Sequence, residues 1–331
     1  MSSTTDIRDL NSIVREANKP FSLVKEEVNK VLVGQSKLVD RLLIALLANG
    51  HILLEGLPGL AKTLAITTLA EVIGCDFKRI QFTPDLLPAD LIGTSVYNPK
   101  DGSFSVTKGP IFTNFVLGDE INRAPAKVQS ALLEIMAEHQ ATIQGTTFKA
   151  PKPFLVLATQ NPIEQEGTYA LPEAQTDRFM LKVIVDYPDK KEEKEIIKRM
   201  ATFSSKPTVK KVLEIEDVIS AQKIIDEIYI DDKVTDYILD IVFATRNPHE
   251  YGVEIEGLLE YGASPRASIA LTLASKAHAF LAGRGFVTPH DVKSIGADVL
   301  RHRLCLSYEA EAREMTTDDI INRVFETLLV P

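Results

Sequence analysis

The chain has 331 residues, of which 45% are hydrophobic and 25% are charged, and its formal net charge is -9, from 46 acidic and 37 basic residues. This is the composition of a folded globular protein long enough for two domains and able to bury a core, so disorder is not the default expectation. The negative charge excludes a surface that attracts nucleic acid or anionic lipid over its whole area, but it does not exclude a local basic groove or pore.

The cysteines and the hydropathy pattern bear on the location of the protein. Cys75 and Cys305 are the only cysteines, and neither belongs to a C-x-x-C pair, so we expect free thiols in a reducing compartment. The first thirty residues carry charges throughout, and we expect no secretory signal there. The longest uncharged apolar stretch, Leu42–Leu54, is shorter than the ~20 residues of a membrane span. We therefore expect a cytoplasmic protein without a membrane span.

The N-terminal half alternates between helical and strand patterns. Met1–Pro20 is polar and weakly patterned, and we interpret it as an N-terminal arm. From His51 to Asp186, short apolar runs alternate with helical patterns, which is typical of a mainly parallel sheet covered by helices on both faces. The predicted strands are His51–Glu55, Phe77–Phe82, Asn114–Gly118, Phe154–Ala158 and Phe179–Asp186. The predicted helices are Phe21–Val31, Ser36–Ala48, Lys62–Ile73 and Lys127–His139.

Two further features complete the predicted architecture. Gly93–Gly109 and Ala141–Ala150 interrupt the alternation and contain turn residues, so each predicts a β-hairpin inserted in the α/β core. After Tyr187-Pro188 the apolar spacing is helical almost throughout. The predicted helices there are Lys190–Thr202, Ile215–Glu227, Lys233–Thr245, Ser264–Leu281, Thr288–His302 and Thr316–Leu328. We therefore predict an arm at residues 1–20, an α/β domain at 21–188 and a small, nearly all-helical domain at 189–331.

A glycine-rich loop, Gly56-Leu57-Pro58-Gly59-Leu60-Ala61-Lys62-Thr63, joins a predicted strand to a predicted helix. In this context the backbone N–H groups of the loop and the helix N-terminus bind phosphate oxygens. Lys62 is expected to bridge the β- and γ-phosphates, and the Thr63 hydroxyl to ligate Mg²⁺. The general pattern has glycine where this chain has Ala61; alanine fits there if φ is negative and is strained if φ is positive. The alternative is a plain turn between strand and helix.

A second predicted strand, Asn114–Gly118, ends in two carboxylates, Asp119 and Glu120. Asp119 is placed to hold Mg²⁺ through a water beside Thr63, and Glu120 to polarise the attacking water as a general base. The alternative is a strand end with two solvated charges.

A third predicted strand, Phe154–Ala158, leads into Thr159-Gln160-Asn161-Pro162. The Asn161 amide is able to orient the attacking water, because it both donates and accepts hydrogen bonds; an ordinary Asn-Pro turn is the alternative. All three polar segments follow predicted strands, and ligands of open α/β sheets bind at the carboxyl ends of the strands. The three segments together predict a Mg²⁺-dependent ATPase of the P-loop class.

These residues resemble those of a AAA+ ATPase. Gly56–Thr63 resembles the Walker A motif of that family, Phe115–Glu120 its Walker B motif, and Asn161 its sensor 1. The resemblance implies a P-loop AAA+ core with a mainly parallel five-stranded sheet and inserted β-hairpins, followed by a small all-helical lid domain. It also implies ATP and Mg²⁺ as cofactors.

Three other segments extend the resemblance. Val33-Gly34-Gln35 looks like the segment beside adenine, Glu173–Phe179 resembles the stretch that presents an arginine finger, Arg178, to a neighbouring subunit, and Ala263–Arg266 resembles sensor 2, with Arg266 as the sensor. The nucleotide-binding residues implied are Val33, Gly34, Gln35, Gly56, Leu57, Pro58, Gly59, Leu60, Ala61, Lys62, Thr63 and Leu64.

The more specific resemblance is to the MoxR branch, carried by Gly59–Thr63, Asp119–Ala124, Gln129–Glu134 and the two hairpins. It covers the chain from about Val31 onward. It implies a homo-oligomer, a hexameric ring with ATP sites between subunits. It also implies a chaperone-like activity that remodels or activates protein clients, among them proteins with von Willebrand factor A domains.

Three alternatives stay open at this point. A magnesium-chelatase-like motor subunit is the nearest, and a ring motor on nucleic acid is another, but no basic run supports it and we do not expect a nucleic acid partner. Hairpin residues Lys100, Lys108 and Lys149 either line a pore or, as we prefer, are solvated edge lysines. The third alternative is a nucleotide-gated scaffold that does not hydrolyse ATP. Glu120 and Asn161 argue against it, because a binding module needs neither residue.

Overall fold

The structure is a computed structural model, and it describes residues 7–57, 59–100, 102–161, 168–201 and 207–331. The chain forms two compact units. One comprises residues 20–179 and 183–219, and the other comprises residues 180–182, 220–331 and the described part of 1–19. These units do not coincide with the predicted boundary after residue 188, and the predicted domain boundaries stay a prediction.

The N-terminal segment is helical where we expected an arm. Helix α1 runs over Ile7–Val31 and includes Pro20. Residues 7–20, which the sequence pattern left without a predicted helix, are therefore helical, and their assignment to a separate arm stays a prediction. The helix buries a stripe of apolar side chains that continues at helical spacing on both sides of the proline: Leu10, Val14, Phe21, Val24 and Val28.

The first unit is built on a five-stranded sheet, as predicted, and its strand order is β2-β5-β8-β1-β9. Its strands are β1 (Ile52–Glu55), β2 (Phe77–Gln81), β5 (Phe115–Asp119), β8 (Leu155–Gln160) and β9 (Leu181–Ile184). The pairs β2-β5, β5-β8 and β1-β8 are parallel. Strands β1, β5 and β8 are almost fully buried because helices of the same unit cover them, which explains why they read as continuous apolar runs.

The helices of this unit connect the strands and carry the apolar core. They are α2 (Ser36–Leu47), α3 (Lys62–Ile73), α4 (Pro88–Ile92), α5 (Ala126–Glu138), α6 (Glu173–Thr176) and α7 (Lys190–Met200). Helix α7 was expected to reach Thr202, which lies outside the described residues. Leu132 of α5, Val116 of β5 and Val156 of β8 belong to one buried cluster, together with Phe82 and Phe179. The cluster packs side chains of α5 against the central strands β5 and β8.

Both predicted hairpins are present as antiparallel pairs. They are β3 (Gly93–Asn98) with β4 (Ser103–Lys108), and β6 (Gln140–Ile143) with β7 (Thr146–Lys149). The Lys108 ammonium lies 4.9 Å from the centroid of the Phe148 ring and 5.5 Å from that of Phe112. These cation–π contacts give Lys108 partners within its own chain.

The second unit is mainly helical. Its helices are α8 (Ile215–Asp226, which begins in the first unit), α9 (Asp232–Ala244), α10 (Pro265–Leu281), α11 (Pro289–Leu300), α12 (Tyr308–Ala312) and α13 (Thr317–Thr327). Helix α10 packs against α9 and α11, and α11 against α13. The sequence did not predict one small antiparallel pair, β10 (Leu259–Tyr261) with β11 (Cys305–Leu306). Within the described ranges, no helix is both long and apolar enough to span a membrane.

A buried carboxylate fixes the start of α11. Asp291 is fully buried and accepts hydrogen bonds from Thr288, from the Arg284 guanidinium and from His278 Nδ1 at 2.6 Å. Burial alone would raise the pKa of this carboxyl, but these hydrogen bonds outweigh it and hold the pKa well below its usual range. The capping residue Thr288 and Pro289 in the first turn are the helix start that the sequence indicated.

Candidate functional site

A pocket of about 430 Å³ lies at the carboxyl ends of strands β1, β5 and β8, within the first unit. The glycine-rich loop at residues 56–63, called the phosphate loop from here on, contributes to it together with the acidic end of β5 and the polar end of β8. Its lining residues are Gly56, Gly59, Leu60, Ala61, Lys62, Thr63, Leu64, Arg79, Asp119, Glu120, Thr159 and Asn161. The sheet thus brings together side chains that are about a hundred residues apart in the sequence.

The glycine-rich loop is shaped by close packing and by left-handed backbone. A Cβ at Gly56 would lie 2.7 Å from the Val185 carbonyl oxygen, so that position has no room for a side chain. Gly59 has φ of +85° and Ala61 has φ of +57°. Ala61 therefore takes the conformation in which alanine is strained, where the general motif has glycine.

Helix α3 begins at Lys62, so its unpaired N–H groups and its positive end lie at the pocket. The Lys62 ammonium donates a hydrogen bond to the Gly56 carbonyl. Partial burial lowers the pKa of Lys62, and the charges of Asp119, Glu120 and Glu55 act in the opposite direction. A phosphate anion at this point would meet a desolvated cation together with several backbone donors.

Asp119 is held by two side chains. The Thr159 hydroxyl donates to Asp119 Oδ1 at 2.7 Å, and Arg79 donates to Oδ2 from Nη2 at 2.6 Å and from Nε at 3.1 Å. Arg79 is on β2, two residues before Gln81, which pairs with Asp119 in the parallel register. Asp119 is thereby fixed at the wall of the pocket with both oxygens engaged.

Glu120 has an unusual backbone, with φ of +57° and ψ of 52°. Its N–H donates to Thr159 Oγ1 at 2.9 Å, and its Oε2 accepts from Gln81 Nε2 at 2.8 Å. Arg123 Nε lies 3.2 Å from the same oxygen. A non-glycine residue in the left-handed region persists where its surroundings fix it, and such residues concentrate at functional sites.

The sequence interpretation missed Arg79, Gln81 and Thr159. Thr159 stood in the polar segment after the third strand, so its position gave a signal. Arg79 and Gln81 gave none, because Lys78, Arg79 and Gln81 read as the exposed face of an ordinary strand. Only the pairing of β2 with β5 brings them to the carboxylates.

The oxygen donors of the pocket fit Mg²⁺. The Thr63 hydroxyl and the Asp119 carboxylate line one cavity, and hydroxyl and carboxylate oxygens are the ligands this hard cation prefers. Among the described residues there is no cluster of three or more histidine, cysteine or acidic side chains that could cage a metal. A single carboxylate with a hydroxyl matches a cation that keeps its waters and takes further ligands from phosphate.

Some residues singled out in the sequence do not line this pocket. Leu57 does not, and Pro58 and Pro162 lie outside the described residues. Gln35, in the Val33-Gly34-Gln35 segment, donates from Nε2 to the Asp186 carbonyl at 3.3 Å, one residue beyond the Val185 that packs on Gly56. The segment is therefore joined to the phosphate loop through the chain that follows β9.

The geometry of this pocket does not test the roles predicted for Arg178 and Arg266. Arg178 is exposed and donates from Nη1 to the Leu133 carbonyl at 3.0 Å. Arg266 is in the second unit, exposed in the first turn of α10, where the Ser264 hydroxyl accepts from its N–H at 3.2 Å. Their roles as arginine finger and as sensor 2 stay predictions.

Comparisons with known proteins agree with this architecture. Residues 51–181 match the model of the ATPase family associated with various cellular activities (AAA), and residues 254–324 match the AAA lid domain. The chain is 50% identical to Chaperone MoxR1 of Mycobacterium tuberculosis over 306 residues, 92% of this chain and 81% of that protein. It is 31% identical to Protein MoxR of Paracoccus denitrificans over 341 aligned residues, 97% of this chain and 99% of that one.

A solved structure extends the agreement to three dimensions. The crystal structure of a candidate ATPase from Cytophaga hutchinsonii superposes with a TM-score of 0.91 at 50% sequence identity, and the match covers 98% of each chain. An AAA core with its lid and this level of identity over nearly the whole chain show the family. The chain belongs to the MoxR family of AAA+ ATPases.

Proposed function

We propose that this chain hydrolyses ATP with Mg²⁺ and uses the energy to remodel or activate partner proteins. One observation carries the proposal: the phosphate loop, Asp119, Glu120 and Asn161 line a single pocket at one edge of the sheet. A site that only bound nucleotide would need the loop, but it would need neither a base nor a residue to orient water.

Each residue has a distinct part in the proposed reaction. Lys62 and the N-terminus of α3 bind the β- and γ-phosphates and stabilise the charge that develops on them. Glu120 accepts the proton of the attacking water, and Asn161 orients that water. Thr63 and Asp119 would hold Mg²⁺, which would supply positive charge to the phosphate oxygens. The lowered pKa of Lys62 reflects burial, and bound phosphate would favour its charged form.

The assembly and the lid belong to the proposal as well. Arg178 is exposed on the chain's surface, which is compatible with a finger presented to the ATP site of a neighbour in a hexameric ring. Arg266 is proposed to read the γ-phosphate from the lid, so that ATP and ADP favour different lid arrangements. A relative named as a chaperone supports a protein client. We propose clients with von Willebrand factor A domains and a cytoplasmic location.

ATP hydrolysis by the purified chain, with and without Mg²⁺, tests the catalytic part. Lys62→Ala is expected to abolish nucleotide binding and hydrolysis, because it removes the charge that meets the phosphates. Lys127→Ala, which removes an exposed lysine on α5, is the matched control and is expected to behave as the wild type. Equal binding of a fluorescent ATP analogue by the wild type and Lys62→Ala would contradict the assignment of the phosphate site.

Capture of clients tests the remodelling part. Glu120→Gln is expected to keep ATP bound and so to hold clients in the ATP state, while Lys62→Ala is expected to hold none. Proteins that bind Glu120→Gln in ATP but not in ADP are the predicted result. Identical sets of bound proteins in both nucleotides would count against a nucleotide-driven activity on clients.

A further inference from the structure

The carboxylate expected to hold Mg²⁺, Asp119, is paired with a cation of its own chain. Arg79 Nη2 and Nε lie 2.6 Å and 3.1 Å from Asp119 Oδ2, and the Thr159 hydroxyl occupies Oδ1 at 2.7 Å. Hydrogen bonds from an ionised donor to an ionised acceptor are the strong ones in proteins. Asp119 Oδ2 thus faces the Arg79 guanidinium, while Oδ1 accepts from the Thr159 hydroxyl.

The sheet builds this pair into the pocket. Strands β2 and β5 are parallel, with Arg79 opposite Leu117 and Gln81 opposite Asp119. Arg79 and Gln81 are two residues apart on the strand and share a face, and Arg79 Nη2 also donates to Gln81 Oε1 at 2.9 Å. The guanidinium is thus held against the carboxylate from the neighbouring strand, and it lines the same cavity as Thr63.

A metal cation and a guanidinium both require the negative charge of the carboxylate. We propose that Arg79 is an intrinsic competitor of Mg²⁺ for Asp119, which pairs with the carboxylate in the metal-free pocket and is displaced when the metal–nucleotide binds. This inference rests on the proposed function, because it takes Asp119 as the metal-linked carboxylate. Arg79 acts through Asp119 and is a positioning residue.

Solvent exposure of the Arg79–Asp119 pair limits how strongly Arg79 can compete with the metal. The Arg79 side chain is 51% exposed and that of Asp119 is 18% exposed, so the pair is partly screened by water and the arginine has room to leave. A pair of this kind is worth up to ~1 kcal/mol, which corresponds to a factor of about two to five in the competing equilibrium.

The test measures metal binding without turnover. Protein in excess over a non-hydrolysable ATP analogue is titrated with Mn²⁺, a paramagnetic substitute for Mg²⁺, and free Mn²⁺ is read by electron paramagnetic resonance. For Arg79→Gln we expect the Mn²⁺ concentration at half-saturation, the midpoint of the titration, to fall about twofold to fivefold relative to the wild type. For Arg79→Lys, which keeps the charge but loses the two-pronged geometry, we expect a smaller decrease.

Lys78→Gln is the matched control, because it removes an exposed cation from the neighbouring position of β2, whose side chain points to the opposite face. Its midpoint is expected to equal that of the wild type. An Arg79→Gln midpoint that is unchanged, raised, or lowered no more than that of Lys78→Gln would overturn the inference. Failure of the wild type to bind the analogue would overturn the proposed function too, whereas binding with an unshifted Arg79→Gln midpoint overturns only the competition.

Discussion

Two residues of the pocket, Ala61 and Glu120, have left-handed backbone without being glycine, each with φ of +57°. The left-handed region costs a residue with a Cβ about 1–2 kcal/mol. Glu120 is held there by its N–H bond to Thr159 and by the contacts of its carboxylate with Gln81 and Arg123. Ala61 is held by its position between the loop and the first residue of α3.

Relief of the Ala61 strain is a measurable expectation. Ala61→Gly is expected to stabilise the nucleotide-free protein by up to about 1 kcal/mol, because glycine adopts this backbone without strain while losing some entropy on folding. Thermal unfolding should therefore shift upward by roughly 1–3 °C. Ala70→Gly, a matched change inside α3, is expected to shift it downward, since glycine is unfavourable in a helix interior. A downward shift for both variants would show that Ala61 is not strained.

At the scale of single residues, sequence reasoning reaches the side chains that follow apolar strands and misses those within them. Asp119 ends the buried strand β5, Asn161 directly follows β8, and Lys62 follows the glycine-rich loop after β1; each lines the pocket. Arg79 is inside β2, forty positions before Asp119, and no spacing rule connects them. The sign of φ at Ala61 was also out of reach, because the motif allows both conformations.

At the scale of elements, a buried histidine joins β1, α5 and β8. His51 Nε2 lies 3.1 Å from the Met136 carbonyl, and the Val156 N–H donates to His51 Nδ1 at 3.1 Å. Nδ1 therefore acts as an acceptor and Nε2 as the donor, which is the neutral form of the ring. Burial lowers the pKa of His51 to about 4. The His139 ring, whose pKa is lowered chiefly by burial, lies 6.0 Å from it.

This histidine makes stability depend on pH in a defined window. The folded pKa lies below the unfolded value near 6.5, so the unfolded chain binds more protons and stability falls as pH drops from about 6.5 to about 4. The loss attributable to His51 is about 3 kcal/mol at the low end. Unfolding by urea at a series of pH values measures it.

Two variants distinguish the contribution of His51 from that of the other titrating side chains. His51→Gln is expected to be less stable at neutral pH and to lose the part of the slope between pH 4 and 6.5 that His51 contributes, because glutamine does not titrate. His290→Gln, at an exposed site, is expected to keep the wild-type slope. If His51→Gln keeps the full slope, the ring is not the group that titrates.

Elements with a strong pattern were predicted well, and short or interrupted ones were not. The buried strands differ from their predicted bounds by one or two residues at most ends, because burial on both faces gives a continuous apolar run. Helices α4 and α6 have five and four residues, too few for a helical period to be recognised. Pro20 made α1 look as though it began later, although the apolar stripe passes through it.

At the scale of the whole molecule, we expect an active site that a neighbouring subunit completes. Arg178→Ala is expected to reduce ATP hydrolysis by ~10³-fold or more while leaving nucleotide binding intact, as for a finger supplied in trans. Mixed with Lys62→Ala in equal amounts, it should regain activity, because about a quarter of head-to-tail interfaces in a mixed ring would join an intact Lys62 to an intact Arg178.

The control for this experiment uses two residues of the same pocket. A mixture of Lys62→Ala with Glu120→Gln is expected to stay inactive, since no chain in it carries both Lys62 and Glu120. Rescue in the first mixture but not in the second would support a role for Arg178 in trans. Equal activity of both mixtures, in rings shown to contain both variants, would refute it.

The central claim is that this pocket hydrolyses ATP with Glu120 as the base, and one measurement addresses it most directly. Steady-state ATP hydrolysis at saturating Mg²⁺ and ATP is compared for the wild type, Glu120→Gln and Glu71→Gln, an exposed glutamate on α3. Glu120→Gln is expected to lose at least ~100-fold in rate and to keep its affinity for ATP, while Glu71→Gln keeps the wild-type rate. Hydrolysis by Glu120→Gln at the wild-type rate would contradict the account.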